Sequence, residues 1–240
     1  MNNFIRSAAL IILAVTFDNQ LHSQSFEFSA KVGTYKSDFL VNGIFDGIIL
    51  QNNDNNDAEH WIGVETSFLI TDRFQLTLGI ENYSNFGESL LIYDTQEPQF
   101  NGQYIKKGMS HWYRAYFLPI TFSYSIIKSQ TFSLNIDVGP ELFFGKNRNR
   151  IDEIDLGRQH ERLNEIVPIL NQSAKSTIAQ LRLGVTFTYK RFGLSFHIKE
   201  DFDQSANTHI TFRGKTYSYH VDRSITAFNL SYTFLRVGNN

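Results

Sequence analysis

The chain has 240 residues, a formal net charge of −2, 22 phenylalanines and no cysteine. A balance so close to neutral leaves no electrostatic footprint for nucleic acid, and without cysteine there is neither a disulfide framework nor a thiolate metal site. The length suits one all-β domain.

The first residues read as an export signal. Arg6 supplies a positive start, and residues 8–17 form an apolar core of about ten residues. That core is shorter than the roughly 20 residues a spanning helix requires. Cleavage after Ser23 divides the chain into a signal peptide, 1–23, and a mature domain, 24–240. No later stretch is apolar for long enough to make a spanning helix.

From residue 26 onward, segments with period-two alternation follow one another. Successive side chains on a strand point to opposite faces, so each segment has an apolar wall and a small or polar one. In 26–40, Phe28, Ala30 and Val32 oppose Glu27, Lys31 and Gly33. In 61–70, Ile62, Val64, Phe68 and Ile70 oppose Gly63, Glu65 and Ser67. A short turn at 71–73 leads to Leu76, Leu78 and Ile80 against Thr77, Gly79 and Glu81. In 113–127, Leu118, Ile120, Phe122, Tyr124 and Ile126 oppose Thr121, Ser123 and Ser125.

The turn 128–130 brings Leu134, Ile136 and Val138 against Asn135, Asp137, Gly139 and Glu141. In 178–189, Leu181, Leu183, Val185 and Phe187 oppose Arg182, Gly184, Thr186 and Thr188. After a turn near Lys190 and Arg191, Leu194, Phe196 and Ile198 oppose Ser195, His197 and Lys199. The eighth segment, 225–234, sets Phe228, Leu230, Tyr232 and Phe234 against Ala227, Asn229, Ser231 and Thr233.

Short connections alternate with polar ones on the order of 15 to 25 residues, which places every long loop at one end of an up-and-down meander. A closed barrel of this kind could turn its apolar wall inward, as a lipocalin-like carrier does, or outward to lipid. Three features favour lipid. Gly33, Gly63, Gly79, Gly139 and Gly184 all fall on the polar wall, where a cramped lumen needs them and a solvent face does not. The same wall carries balanced charge: Glu27, Glu65, Glu81, Asp137 and Glu141 against Lys31, Arg182, Lys199 and His197. Pairing through the first loop sets Lys31 opposite Glu65, and Glu141 falls near Arg182. Finally, Phe26, Trp61, Trp112, Tyr113, Tyr116, Tyr189 and Phe192 lie near strand ends, as an interfacial aromatic girdle requires.

The run FLPITFSYSI at 117–126, with Pro119 early on the polar wall, resembles the Y-x-x-x-P-L-L-L-x-Y strand of small outer-membrane β-barrel proteins of Bacteroidota. These are OmpX/OmpA-like barrels that include PorT-like proteins, and the resemblance spans roughly residues 24–236. It implies a place in the outer membrane after export, contact with outer-membrane lipid, and insertion by the barrel-assembly machinery. A structural or secretion-associated role, with a protein partner met through the external loops, is also implied.

Three other patterns bear on chemistry. Asp54, Asp57 and Glu59 offer oxygens to calcium but lack the glycine and terminal glutamate of a calcium loop, and read as a solvated loop. Ser195, His197 and Asp201 hint at a lipid-modifying hydrolase, yet side chains two apart on a strand stand about 6 to 7 Å from each other, too far for a nucleophile and its base. In the third long loop, Leu163, Ile166, Val167 and Leu170 recur at helical spacing, giving a short amphipathic helix that ends near Pro168 or slightly beyond and caps the barrel mouth.

The sequence thus predicts an all-β fold: an eight-stranded antiparallel up-and-down transmembrane β-barrel with a short helix in the third long loop. It is expected to be non-enzymatic, with a side-chain-filled lumen and no catalytic, cofactor or metal residue. A periplasmic lipocalin-like carrier of an apolar ligand, or a lipid-modifying barrel enzyme, are the alternatives.

Overall fold

In the computed structural model the last strand folds back to pair with the first, from Phe26 against Val237 to Asn42 against His220. Residues 25–42, 44–52, 58–96, 106–147, 161–173, 175–202 and 209–237 are described; the proposed signal peptide and the calcium candidates Asp54 and Asp57 lie outside them.

In chain order the strands are β1 (Phe26–Asn42), β2 (Ile44–Phe45), β3 (Ile48–Asn52), β4 (Glu59–Leu69), β5 (Phe74–Asp94), β6 (Lys106–Lys128) and β7 (Phe132–Asn147). Helix α1 (Glu161–Ser173) follows, then β8 (Thr177–Tyr189), β9 (Phe192–Asp201), β10 (His209–Phe212), β11 (Lys215–Ser218) and β12 (His220–Val237). Around the barrel the order is β1, β4, β5, β6, β7, β8, β9, β12, every neighbour antiparallel, with β12 returning to β1. Closure removes the free edges that an open sheet would expose.

The apolar wall is outside. Val32, Ile62, Ile80, Ile136, Leu183, Phe228 and Leu230 are all exposed, while Ser29, Thr77, Asp137, Ser195 and Asn229 on the other wall are buried. The lipocalin-like arrangement, with its apolar residues inside, is therefore not the one formed. An exterior of this composition matches hydrocarbon rather than water.

Two of the wall's glycines make room for lumen side chains. A Cβ on Gly33 would meet the Trp61 indole at 2.6 Å, and one on Gly184 would run into the His197 ring.

The strands run further than their alternation suggests. β5 and β6 continue as a paired ribbon out to Asp94 and Lys106, so much of the expected loop between them is sheet. The period was hidden by a bulge between Tyr83 and Phe86, where one strand gains a residue and its faces exchange. Beyond it Leu90, Ile92 and Asp94 are the buried positions. A second irregularity between Ser125 and Ile127 turns both Ile126 and Ile127 outward.

The long loops are also structured. β2 and β3 form a hairpin whose second strand joins β5, and β10 and β11 form another. Their turns, Asp46-Gly47 and Arg213-Gly214, hold both residues at positive φ, the mark of a tight two-residue hairpin turn. Helix α1 runs through Pro168 and ends beyond it, at Ser173. An interior proline costs about 3 kcal/mol, and here Leu163, Ile166, Val167 and Leu170 are all buried on one face. At about 1.5–3 kcal/mol for each such side chain, burial outweighs the proline. The face packs with Phe45, Ile48, Leu50, Leu90, Ile92, Ile210, Phe212 and Val221 into an apolar core that sits at the long-loop end.

Candidate functional site

The lumen is built in three layers, each set by where the inward positions of eight strands fall. Nearest the short turns it is lined by hydroxyls. Ser29 pairs with Thr233 and Ser67 with Thr77, each at 2.9 Å. Here lies a cavity of about 450 Å³, also bordered by Lys31, Glu65 and Asp137. Lys31 is bonded to Glu65. They are not opposite each other, because Ser29 faces Glu65 and Lys31 faces Gly63. The long lysine side chain bridges that two-residue offset along the wall. At the rim, Glu27 takes a partner that its sequence neighbourhood does not suggest, Arg236 at 2.6 Å.

The middle layer is ionic. Arg182 Nη1 lies 2.7 Å from Glu81 and 2.9 Å from Glu141. Lys199 Nζ lies 2.9 Å from Glu81 and 2.8 Å from Glu141. Each cation thus bridges both carboxylates, and all four side chains are buried. Lys199 also donates to the Tyr83 hydroxyl at 2.9 Å and stands 4.5 Å from the centre of the Phe117 ring. Buried charge is tolerable only where every member is partnered like this.

His197 and Asp137 border the ring, with Nε2 3.3 Å from the Asp137 carboxylate. Arg182 Nη2 lies 3.2 Å from Nδ1, and since a guanidinium can only donate, Nδ1 accepts and Nε2 keeps the proton that points at Asp137.

The layer nearest the long loops is aromatic. Tyr35, Trp61, Tyr83, Phe117 and Phe143 are buried with Ala115, Ile178, Ile225 and Ala227. Trp61 and Tyr83 stack at 5.4 Å with their planes 4° apart. Trp61 therefore belongs to the lumen and not to the outer girdle, because the wall that begins at Gly63 continues inward through it. Tyr116, Tyr189 and Phe192 do face out, Phe26 is half-buried, and the side chains of Trp112 and Tyr113 are outside the described residues.

The hydrolase constellation is not brought together. The Ser195 hydroxyl lies 2.9 Å from that of Thr186, His197 turns to Asp137 and Arg182, and Asp201 accepts from Gln180. Among the described residues no cluster of His, Asp and Glu has the form of a metal site. Glu59, the one described member of the first-loop acidic group, lies in β4.

Sequence reasoning missed the aromatic layer and the ties that hold α1 down. Arg162 Nε meets Asp94 at 2.7 Å and its Nη1 meets Asp46 at 3.4 Å. Arg213 Nε meets Glu165 at 2.6 Å. The hydrogen bond from Arg213 holds the Glu165 carboxyl below its ordinary range. The Asp-Gly pair at 46–47, between Ile44-Phe45 and Ile48-Ile49, was the readable signal for the first external hairpin.

No family model and no curated protein matches the chain. Among solved structures it is similar to outer membrane protein OprG from Pseudomonas aeruginosa, at 10% identity and a TM-score of 0.48, with 89% of this chain and 97% of that one covered. Neisserial surface protein A aligns at 9% identity and a TM-score of 0.43 over 87% of this chain and 97% of its own. The outer membrane protease OmpT from Escherichia coli aligns at 12% identity and a TM-score of 0.41 over 88% and 97%. The fold assignment rests on this chain's own strand pairing, which closes an eight-stranded antiparallel up-and-down β-barrel.

Proposed function

We propose that the chain is an integral outer-membrane β-barrel protein, non-enzymatic, that acts by binding a protein partner through its external loops. The observation that carries this reading is the apolar core at the long-loop end, which joins α1, the two hairpins and the β5–β6 ribbon into one folded platform. Loops that only connected strands would have no reason to build such a core. The lumen supports the same reading, since its ionic and aromatic layers occupy it with buried side chains. Insertion by barrel-assembly machinery after export, and a PorT-like secretion-associated role, are the finer parts of the proposal.

Fractionation followed by crosslinking from the platform tests it. The protein should stay with outer membranes and migrate faster on gels when unheated. Photocrosslinkers placed at exposed Lys215 and Gln172 should trap a discrete partner, while one at exposed Arg73 should not. Recovery in the soluble periplasmic fraction without detergent would end the membrane reading. Failure of the platform positions to trap any partner would end the binding role alone.

A further inference from the structure

Among the described residues the two margins of the apolar band carry different charge. At the short-turn margin the exposed charged residues described are Arg73, Lys128, Lys190, Arg191 and Arg236, with Asp72 the one exposed acid among them. At the opposite margin Lys36 and Arg114 stand among Asp38, Glu59, Glu200 and Asp222, and Lys36 is already 3.7 Å from Asp38. Among the described residues no carboxylate is bonded to Arg73, Lys128, Lys190 or Arg191. Lys128 donates to the backbone carbonyl of Asp72, which draws the first two short turns together.

Directly beside these cations is a belt of outward aromatics. Phe74 packs on Tyr124 at 4.9 Å and Phe192 on Tyr232 at 5.2 Å. Lys190 Nζ stands 5.4 Å from the Tyr189 ring centre. Cations next to an aromatic belt sit at head-group depth, with their stems along the apolar surface and their charges toward phosphate.

We propose that the three short turns form a basic collar that binds the phosphate groups of anionic phospholipids in the leaflet they face. This rests on the membrane reading above. The occupant is lipid rather than a soluble anion because the cations are spread around the rim at the edge of the apolar band. A soluble ion would need them converged on one pocket, whereas a shell of lipids meets each in turn.

The test uses the mature chain refolded into phosphatidylcholine vesicles containing trace spin-labelled phosphatidylglycerol or spin-labelled phosphatidylcholine. The wild-type barrel should associate with the phosphatidylglycerol label about fivefold more strongly, and the preference should fall at high salt. Together, Arg73→Gln, Lys128→Gln, Lys190→Gln and Arg191→Gln should bring the ratio close to one. The control Lys36→Gln with Arg114→Gln should leave it unchanged. If the fourfold variant does not refold, the pairs Arg73→Gln/Lys128→Gln and Lys190→Gln/Arg191→Gln should each remove about half of the preference. Equal association in the wild type, or a preference that survives the fourfold variant, overturns the collar. So does cosedimentation with purified peptidoglycan that the fourfold variant loses while no lipid preference exists, which would assign the cations to the cell wall. A chain that does not enter vesicles at all refutes the membrane reading instead.

Discussion

Arg182 touches Glu81, Glu141 and His197 at once, so its removal leaves two buried carboxylates to share one cation, Lys199, with a net negative charge in a closed space. Arg182→Met is expected to cost about 3–5 kcal/mol of unfolding free energy, measured by urea titration in lipid vesicles. Replacing the whole quartet of Glu81, Glu141, Arg182 and Lys199 with apolar residues of similar size should cost less than the single change, because no charge is then left unpaired. Lys31→Ala and Glu65→Ala should couple by at least about 0.5 kcal/mol in a double-mutant cycle, and purely additive losses would show that the bond does not form in solution. At this scale parity placed the lumen charges on one wall, since facing follows from sequence position alone. Register did not follow from parity. Arg236 and Glu27 meet at the rim because the bulge between Phe28 and Ser29 brings the two strand ends level, and no alternation pattern encodes that.

Among the elements, α1 shows where local signals lose to tertiary ones. Pro168 set the expected end at or slightly beyond itself, and an interior proline does weaken an isolated helix. The apolar stripe from Leu163 to Leu170 was legible, but the partners it needs come from four separate segments that no local window contains. Ile166→Asp would bury an unpaired charge in that core. Limited proteolysis should then cut within 161–173 at least about tenfold faster, while the unheated gel mobility of the barrel stays as it was. The Arg213–Glu165 pair adds a mild pH dependence. Because the folded carboxyl titrates below its unfolded value, the contribution is complete above the ordinary carboxylate range and fades as pH falls through the lowered one. Arg213→Gln should raise cleavage slightly on the neutral plateau and flatten the acid limb of the proteolysis–pH profile, so that variant and wild type converge at low pH. The β5–β6 ribbon was the harder element to read, since the bulge after Tyr83 swaps its faces midway and breaks the period that identifies a strand.

For the molecule as a whole, the layered lumen is the decisive property. Its hydroxyl-lined cavity opens toward the short turns and ends at the ion ring, with rings of aromatic carbon beyond. In planar bilayers the purified protein should show no unitary conductance steps, and a stable ohmic step from the wild-type chain would overturn the sealed lumen. The barrel class and the sense of its walls were legible because eight segments repeat the same alternation. A filled lumen was expected from the strand count, but the aromatic layer that fills its upper end was not legible, because Trp61, Tyr83, Phe117 and Phe143 come from four different strands and meet only once the sheet has curled.

The platform at the long-loop end has a consequence for how the chain is made. Its core joins Phe45 and Ile48 near the start to Tyr219 and Val221 near the end. The pairing of β1 with β12, whose ladder sets Val41 against Val221 near its long-loop end, brings these segments together, and Phe45 then packs on Tyr219. Helix α1 therefore has no complete seat until the first and last strands have met, and such long-range contacts come late in folding. Docking of α1 is a clock mark for closure. A fluorophore on the helix should report its burial only after the slowest phase of refolding, and a chain stalled before β12 pairs should display the helix unseated.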